Sequence, residues 1–417
     1  MFFRTIGFTV FYFSLMNANA DQIEVLHWWS SEGEQRALNE LRSKLELENI
    51  MWRDAVVPGS GGGIATTVLQ ARAIAGNPPE MAQVNGLDVK SWAKLGFLAD
   101  LDSVAKKNKW RERLPKIAVD VNTYKGSFVS VPINIHRVNW LWSNKEVFNR
   151  YNLTPPETWD EFFDIAKILK SQGVTPLAVG KDPWQLAIIF EVMALGLHGS
   201  EYYRDLLIDF DIDVITSEQT RTLFSTFREL KPYTSIKSAS LVWSVVTPLM
   251  ITGEAAMQLQ GDWVKGELTS QGLEPDKDYL CSAAPGTSNT FVYNMDSFIL
   301  FKLRSNESEQ IVKQLATTLV SSDFQSKFNQ KKGSIPVLRD VDMLPFDSCS
   351  KMANQQFEYA ELNETLLPSM SDSMAVSLPF QEAMLDLIML YFNDDTMTEE
   401  QAISQFVKIA RSKRFEK

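Results

Sequence analysis

Cysteine and histidine are nearly absent: the 417 residues hold two of the first and three of the second. The histidines are far apart, and His27 stands beside strand residues with no matching ligand spacing, so no pattern for a catalytic or structural metal is present. Cys281 and Cys349 are too distant for a Cys-x-x-Cys redox motif. In an oxidising compartment such an even pair reads as one structural disulfide, with two small buried thiols as the alternative. Positive charge is also short. Lys and Arg number 41 against 52 Asp and Glu, a formal charge of −11 that argues against nucleic acid as a partner. There is no Gly-x-Ser-x-Gly elbow with ordered partners. The run Gly59-Ser60-Gly61-Gly62-Gly63 lacks the Gly-Lys-Ser/Thr ending of a phosphate-binding loop and reads as a mobile or tight loop entering the next helix. Acidic residues are plentiful, yet nothing singles out the two carboxylates that a glycosidase needs. No catalytic residue, metal or cofactor is expected.

Long apolar runs are missing too: past residue 20 nothing approaches the roughly 18 uninterrupted apolar residues of a membrane helix. At the amino terminus Arg4 precedes a shorter apolar run, Ile6 to Met16, which ends in Ala18-Asn19-Ala20. That is the pattern of a signal peptide over residues 1–20, cleaved before Asp21. No Cys follows the cleavage point, so a lipid anchor is not expected. An uncleaved amino-terminal anchor is the other reading. Cleavage takes Arg4 away and moves the formal charge to about −12; the remaining length suggests two domains, at roughly 100–200 residues each.

What is present alternates in period. The strand Ile23-Glu24-Val25-Leu26 leads into His27-Trp28-Trp29-Ser30-Ser31, after which Ala37, Leu38, Leu41 and Leu45 recur at helical spacing. Ser31 with Glu34 matches a capping box, as do Thr158 with Glu161 and Thr398 with Gln401. Ala55–Val57 reads as a second strand, followed by a helix through Val68 to Ile74. Gly173 stops the helix that begins after Thr158. Extended segments return late, at Ala255–Leu259, Tyr279–Ala283 and Ser297–Phe301. The alternation predicts α/β lobes, and the late strands suggest a lobe completed by distant chain segments.

Eleven tryptophans are the most informative count, because aromatic faces stack on the apolar C–H faces of pyranose rings. Trp28 and Trp29 follow the first strand at its carboxyl end, where open α/β folds bind ligands. Burial explains one of the two, but adjacent rings at a strand end do not easily both point inward. Trp243 and Trp263, the latter in Gly261-Asp262-Trp263, are further candidates whose core and ligand readings stand level.

Several segments together carry a family likeness. His-Trp-Trp-Ser at 27–30, Gly76-Asn77-Pro78-Pro79, the stretch Val131 to Trp142, Thr158-Trp159-Asp160-Glu161-Phe162, Gly261-Asp262-Trp263, Tyr279-Leu280-Cys281 and Lys332-Gly333-Ser334-Ile335-Pro336 occur in order across the chain. In these segments the sequence resembles the periplasmic glucose-binding proteins of ABC sugar importers. The resemblance implies a two-lobe periplasmic solute-binding fold with discontinuous lobes joined by hinge crossings. Its lobes are expected over 21–132 plus about 290–340, and 133–289 plus about 341–417. It further implies a monomeric periplasmic carrier that delivers a small sugar to an inner-membrane ABC permease.

By the same resemblance Trp28 and Trp29 stack on the sugar, while Glu34, Asp296 and Lys332 bind its oxygens. Glu34 competes with its own role in the helix cap. Two positions depart from the pattern: Asn85 in Gln83-Val84-Asn85-Gly86 stands where those proteins have Lys, and Asp372 where they have His. Both changes make the pocket more acidic, which suits a ligand with more donors, a cationic or amino-bearing sugar, or a larger glycoside. A secreted carbohydrate-active enzyme and a sensory binding protein are the rival functions.

Overall fold

The computed structural model describes residues 21–58, 63–234, 242–302 and 306–413. The expected leader, 1–20, and the glycines at 59, 61 and 62 lie outside the described residues.

The first strand, Asp21–His27, buries Ile23, Val25 and Leu26. Ser31 then caps the helix Glu32–Leu47: its side chain accepts from Glu34 N–H, and the Glu34 carboxylate reaches back. A cap of this kind stabilises by about 1 kcal/mol. The helix buries Ala37, Leu38, Leu41 and Leu45, the positions that the spacing predicts. Thr158 and Glu161 open the helix Trp159–Ser171 in the same way, and Thr398 and Gln401 exchange bonds at the start of Glu399–Lys413. The second strand, Ile50–Val56, starts earlier than the expected Ala55–Val57. It lies at a sheet edge with most side chains partly or fully exposed, so it carries no continuous apolar signal.

Two sheets form the cores of the two lobes. In the first, Ile50–Val56, Asp21–His27 and Met81–Asn85 run parallel, and Asp296–Leu300 pairs antiparallel with Met81–Asn85 and with Ser130–Pro132. In the second, Trp140–Asn144 lies between Tyr279–Ala283 and Ala255–Leu259, antiparallel to both, with Thr175–Leu177 at the edge. Each sheet is therefore assembled from chain segments far apart in sequence.

The crossings between the lobes are paired with one another. The chain leaves the first sheet at Pro132, passes through His136–Arg137 and enters the second at Trp140. It returns through Phe291–Asn294 to Asp296. These two passages pair antiparallel, and Leu366–Pro368 joins them to make a three-stranded sheet. Ile135 and Ile335 exchange backbone bonds, 3.0 Å each, which ties a third passage to the first. A disulfide joins Cys281 to Cys349 and fastens the helix Ser348–Leu362 to the second sheet, so the thiol alternative is closed. No helix among the described residues is long and apolar enough to cross a membrane.

Candidate functional site

The parallel strands of the first sheet end side by side. Trp28 follows His27, and Asn85 closes the strand Met81–Asn85 opposite Asp296, its antiparallel partner. These ends face a narrow cavity of about 70 Å³. The second lobe supplies Trp263, which opens the helix following its strand Ala255–Leu259, and Trp243, which opens another helix. Trp184 enters from the first turn of Pro183–Arg204, and its indole nitrogen has no acceptor among the described residues.

Asp296 is the most constrained acid in the cavity. It accepts from Gln83 Nε2 at 2.9 Å, Asn134 Nδ2 at 2.8 Å and His136 Nε2 at 3.0 Å. Asn85, with its amide turned to satisfy both polar atoms, adds a bond of 3.1 Å. Burial works against the charge, but the hydrogen bond and charge of His136, then Lys332 and Asn134, hold its pKa down to about 2. His136 itself lies between two carboxylates, with Nδ1 on Asp262 and Nε2 on Asp296. Burial disfavours its cation, yet the Asp262 charge and both hydrogen bonds outweigh that and raise its pKa. Asp262 also accepts Arg137 N–H at 2.9 Å. The imidazolium thus links an acid of the first sheet to one following the second.

Glu34 divides its two oxygens. Oε2 takes the N–H groups of Ser30 and Ser31, at 3.0 and 3.1 Å, and Oε1 lies 3.4 Å from Lys332 Nζ. The cap and the cavity therefore use the same carboxylate without conflict. Lys332 Nζ also lies over the Trp29 ring, 5.4 Å from its centroid.

Asp372 sits on the loop Ser369–Ser373, buried, with its Oδ2 3.2 Å from Ser369 Oγ. Burial, then the neighbouring Glu191 charge, pushes its pKa up to about 7.

Nine of the ten expected ligand residues line this one cavity: Trp28, Trp29, Glu34, Asn85, Trp243, Trp263, Asp296, Lys332 and Asp372. Gln83 stands behind it, bridging Asp296 and the Trp28 N–H, the latter at 3.3 Å. The Trp pair divides. Trp28 is half-buried, whereas Trp29 is only 1% exposed and packs against Phe298 and Phe328. Ser30, His136, Trp184 and Asn294 also line the cavity and were not anticipated. For His136 a signal existed: Asn134 and His136 alternate with Ile133 and Ile135, a polar and an apolar side of one extended segment. His27 instead pairs with Asp54 at 2.9 Å, outside the cavity lining.

Comparison with known proteins places this geometry among binding proteins. A family model described as bacterial extracellular solute-binding protein matches residues 55–294. A "probable sugar-binding periplasmic protein" of Brucella suis biovar 1 (strain 1330) is 36% identical over 393 residues, covering 94% of this chain and 93% of the relative. A protein of the same name from Rhizobium meliloti (strain 1021) is 36% identical over 388 residues, covering 93% of each. Among solved structures, the bacterial solute receptor AcbH, described as preferring β-D-galactopyranose exclusively, superposes with a TM-score of 0.79 at 17% identity. The match covers 95% of this chain and 99% of that one. A chitin oligosaccharide binding protein gives 0.79 at 18% identity, over 94% and 99%. At such identities the structural likeness is one of fold.

Proposed function

The chain belongs to the bacterial extracellular solute-binding protein family, and we propose that it is the exported receptor of an ABC sugar importer, binding one monosaccharide-sized ligand between its lobes. The observation that carries this reading is the lining of the cavity: four tryptophans, at 28, 184, 243 and 263, beside the charged groups Glu34, Asp296, Lys332 and Asp372. Rings supply flat apolar faces for a pyranose, and carboxylates accept its hydroxyl protons. The names of the relatives support a sugar over other solutes.

In this reading the sugar docks on Trp28 and Asp296 of the first lobe, and Trp263 and Trp243 of the second close over it. The ligand favours the closed state because only there does it touch both sides. No bond of the sugar is broken; the closed, loaded monomer is presented to a periplasm-facing permease. Calorimetry of the mature protein against a panel of mono- and disaccharides tests the reading. A one-to-one heat of binding with the sugar recovered unchanged supports it; turnover, or no heat and no thermal shift with any sugar, overturns it.

A further inference from the structure

Charge inside the cavity is unevenly compensated. Glu34 has Lys332 and Asp296 has His136, but among the described residues no Lys, Arg or His forms an ion pair with Asp372. Behind Asp372 stands a second buried acid, Glu191, on the helix Pro183–Arg204. Glu191 accepts from Ser369 and Ser371 hydroxyls at 2.7 Å each, from Met370 N–H at 2.8 Å and from the Tyr203 hydroxyl at 2.9 Å. Its acceptor capacity is consumed in holding the loop, and it offers Asp372 only repulsion. The other charged groups acting on Asp372 are Asp296, a further acid, and His136, already shared between Asp262 and Asp296. Two adjacent buried acids, neither ion-paired among the described residues, therefore stand together, Asp372 at the cavity wall and Glu191 behind it.

A buried charge is stable only when a counter-charge or several donors meet it. Without a ligand the Asp372 carboxyl keeps its proton up to about pH 7, and the counter-charge that ionises it is one the ligand can bring. We propose that the bound sugar carries a free ammonium group facing Asp372, so that the ligand class is an unacetylated amino sugar. The inference rests on the sugar reading of the same cavity. A hydroxyl at that position supplies a hydrogen bond without charge; an acetylated amine supplies bulk and no charge. Only the ammonium brings Asp372 a counter-charge together with its donors.

The test is calorimetry of the mature chain with glucosamine, galactosamine and mannosamine, each against its neutral parent hexose and N-acetyl derivative. At neutral pH at least one amino hexose binds roughly tenfold or more tightly than its parent, about 1.4 kcal/mol. The preference shrinks as pH falls below about 7 and Asp372 takes up a proton. Asp372→Asn, checked for folding by its melting curve, brings the two affinities together. A neutral hexose bound as tightly as its amino counterpart by the wild-type protein overturns the proposal and leaves the sugar reading intact. An amino preference that survives Asp372→Asn overturns the role of Asp372. Silence from every sugar overturns both readings.

Discussion

At the scale of single residues, two buried ionisable groups both lower stability as pH rises, over different windows. His136 has a carboxylate at each ring nitrogen, an arrangement that only the doubly protonated ring satisfies. Its folded pKa is raised, so its contribution is complete below about 6.5 and is lost as pH rises through the folded value. His136→Ala leaves Asp262 and Asp296 without their shared cation, and urea unfolding near pH 6 is expected to show a loss of roughly 3–5 kcal/mol. Asp372 has the same sign over a lower window. Its pKa is raised to about 7, so the folded protein holds a proton that the unfolded chain releases above about pH 4, and stability falls between those limits. Asp372→Asn is therefore expected to raise the melting temperature of the unliganded protein above pH 7, with the gain vanishing near pH 4. The candidate acids were legible because they sit in recognisable short motifs. For His136 only its place on the polar side of an alternating segment was legible; its partners Asp262 and Asp296 lie 126 and 160 residues further along, and no local pattern announces a contact of that range.

Between elements, the contact that most resembles a catch joins the helix Glu32–Leu47 to the helix Trp263–Ser270. Gly33 N–H donates to Glu267 Oε1 at 2.8 Å, and a Cβ added at Gly33 would come within 2.5 Å of the Gly266 carbonyl carbon. Gly333, at φ +98°, lets the following turn approach Asp262 as closely. One helix flanks the first sheet and the other follows a strand of the second, so the approach exists only while the lobes are together. Gly33→Ala is expected to leave the melting temperature of the unliganded protein near that of wild type but to weaken sugar binding by roughly tenfold, mainly through faster release. Calorimetry with stopped-flow dissociation checks both halves. Elements with strong periodicity or caps were readable in advance, and the extended segments Ala255–Leu259 and Tyr279–Ala283 fall where the sequence puts them. The crossing strand His136–Arg137 was not, since two residues hold no period at all and owe their pairing to Phe291–Asn294.

Over the whole molecule, the chain visits the first sheet, the second and the first again, and the Cys281–Cys349 bond fixes part of that return. The bond spans 68 residues, and removing it is expected to cost on the order of 4 kcal/mol by freeing the unfolded chain. Both cysteines lie outside the cavity lining, so the Cys281→Ser, Cys349→Ser double variant is expected to melt earlier while keeping its sugar affinity. A crystal structure grown with the tightest sugar of the calorimetric panel examines capture itself. One pyranose ring should lie between the lobes, its face on Trp28 and its polar groups on Asp296 and Asp372. A sugar bound elsewhere on the surface, with this cavity empty, would contradict that picture.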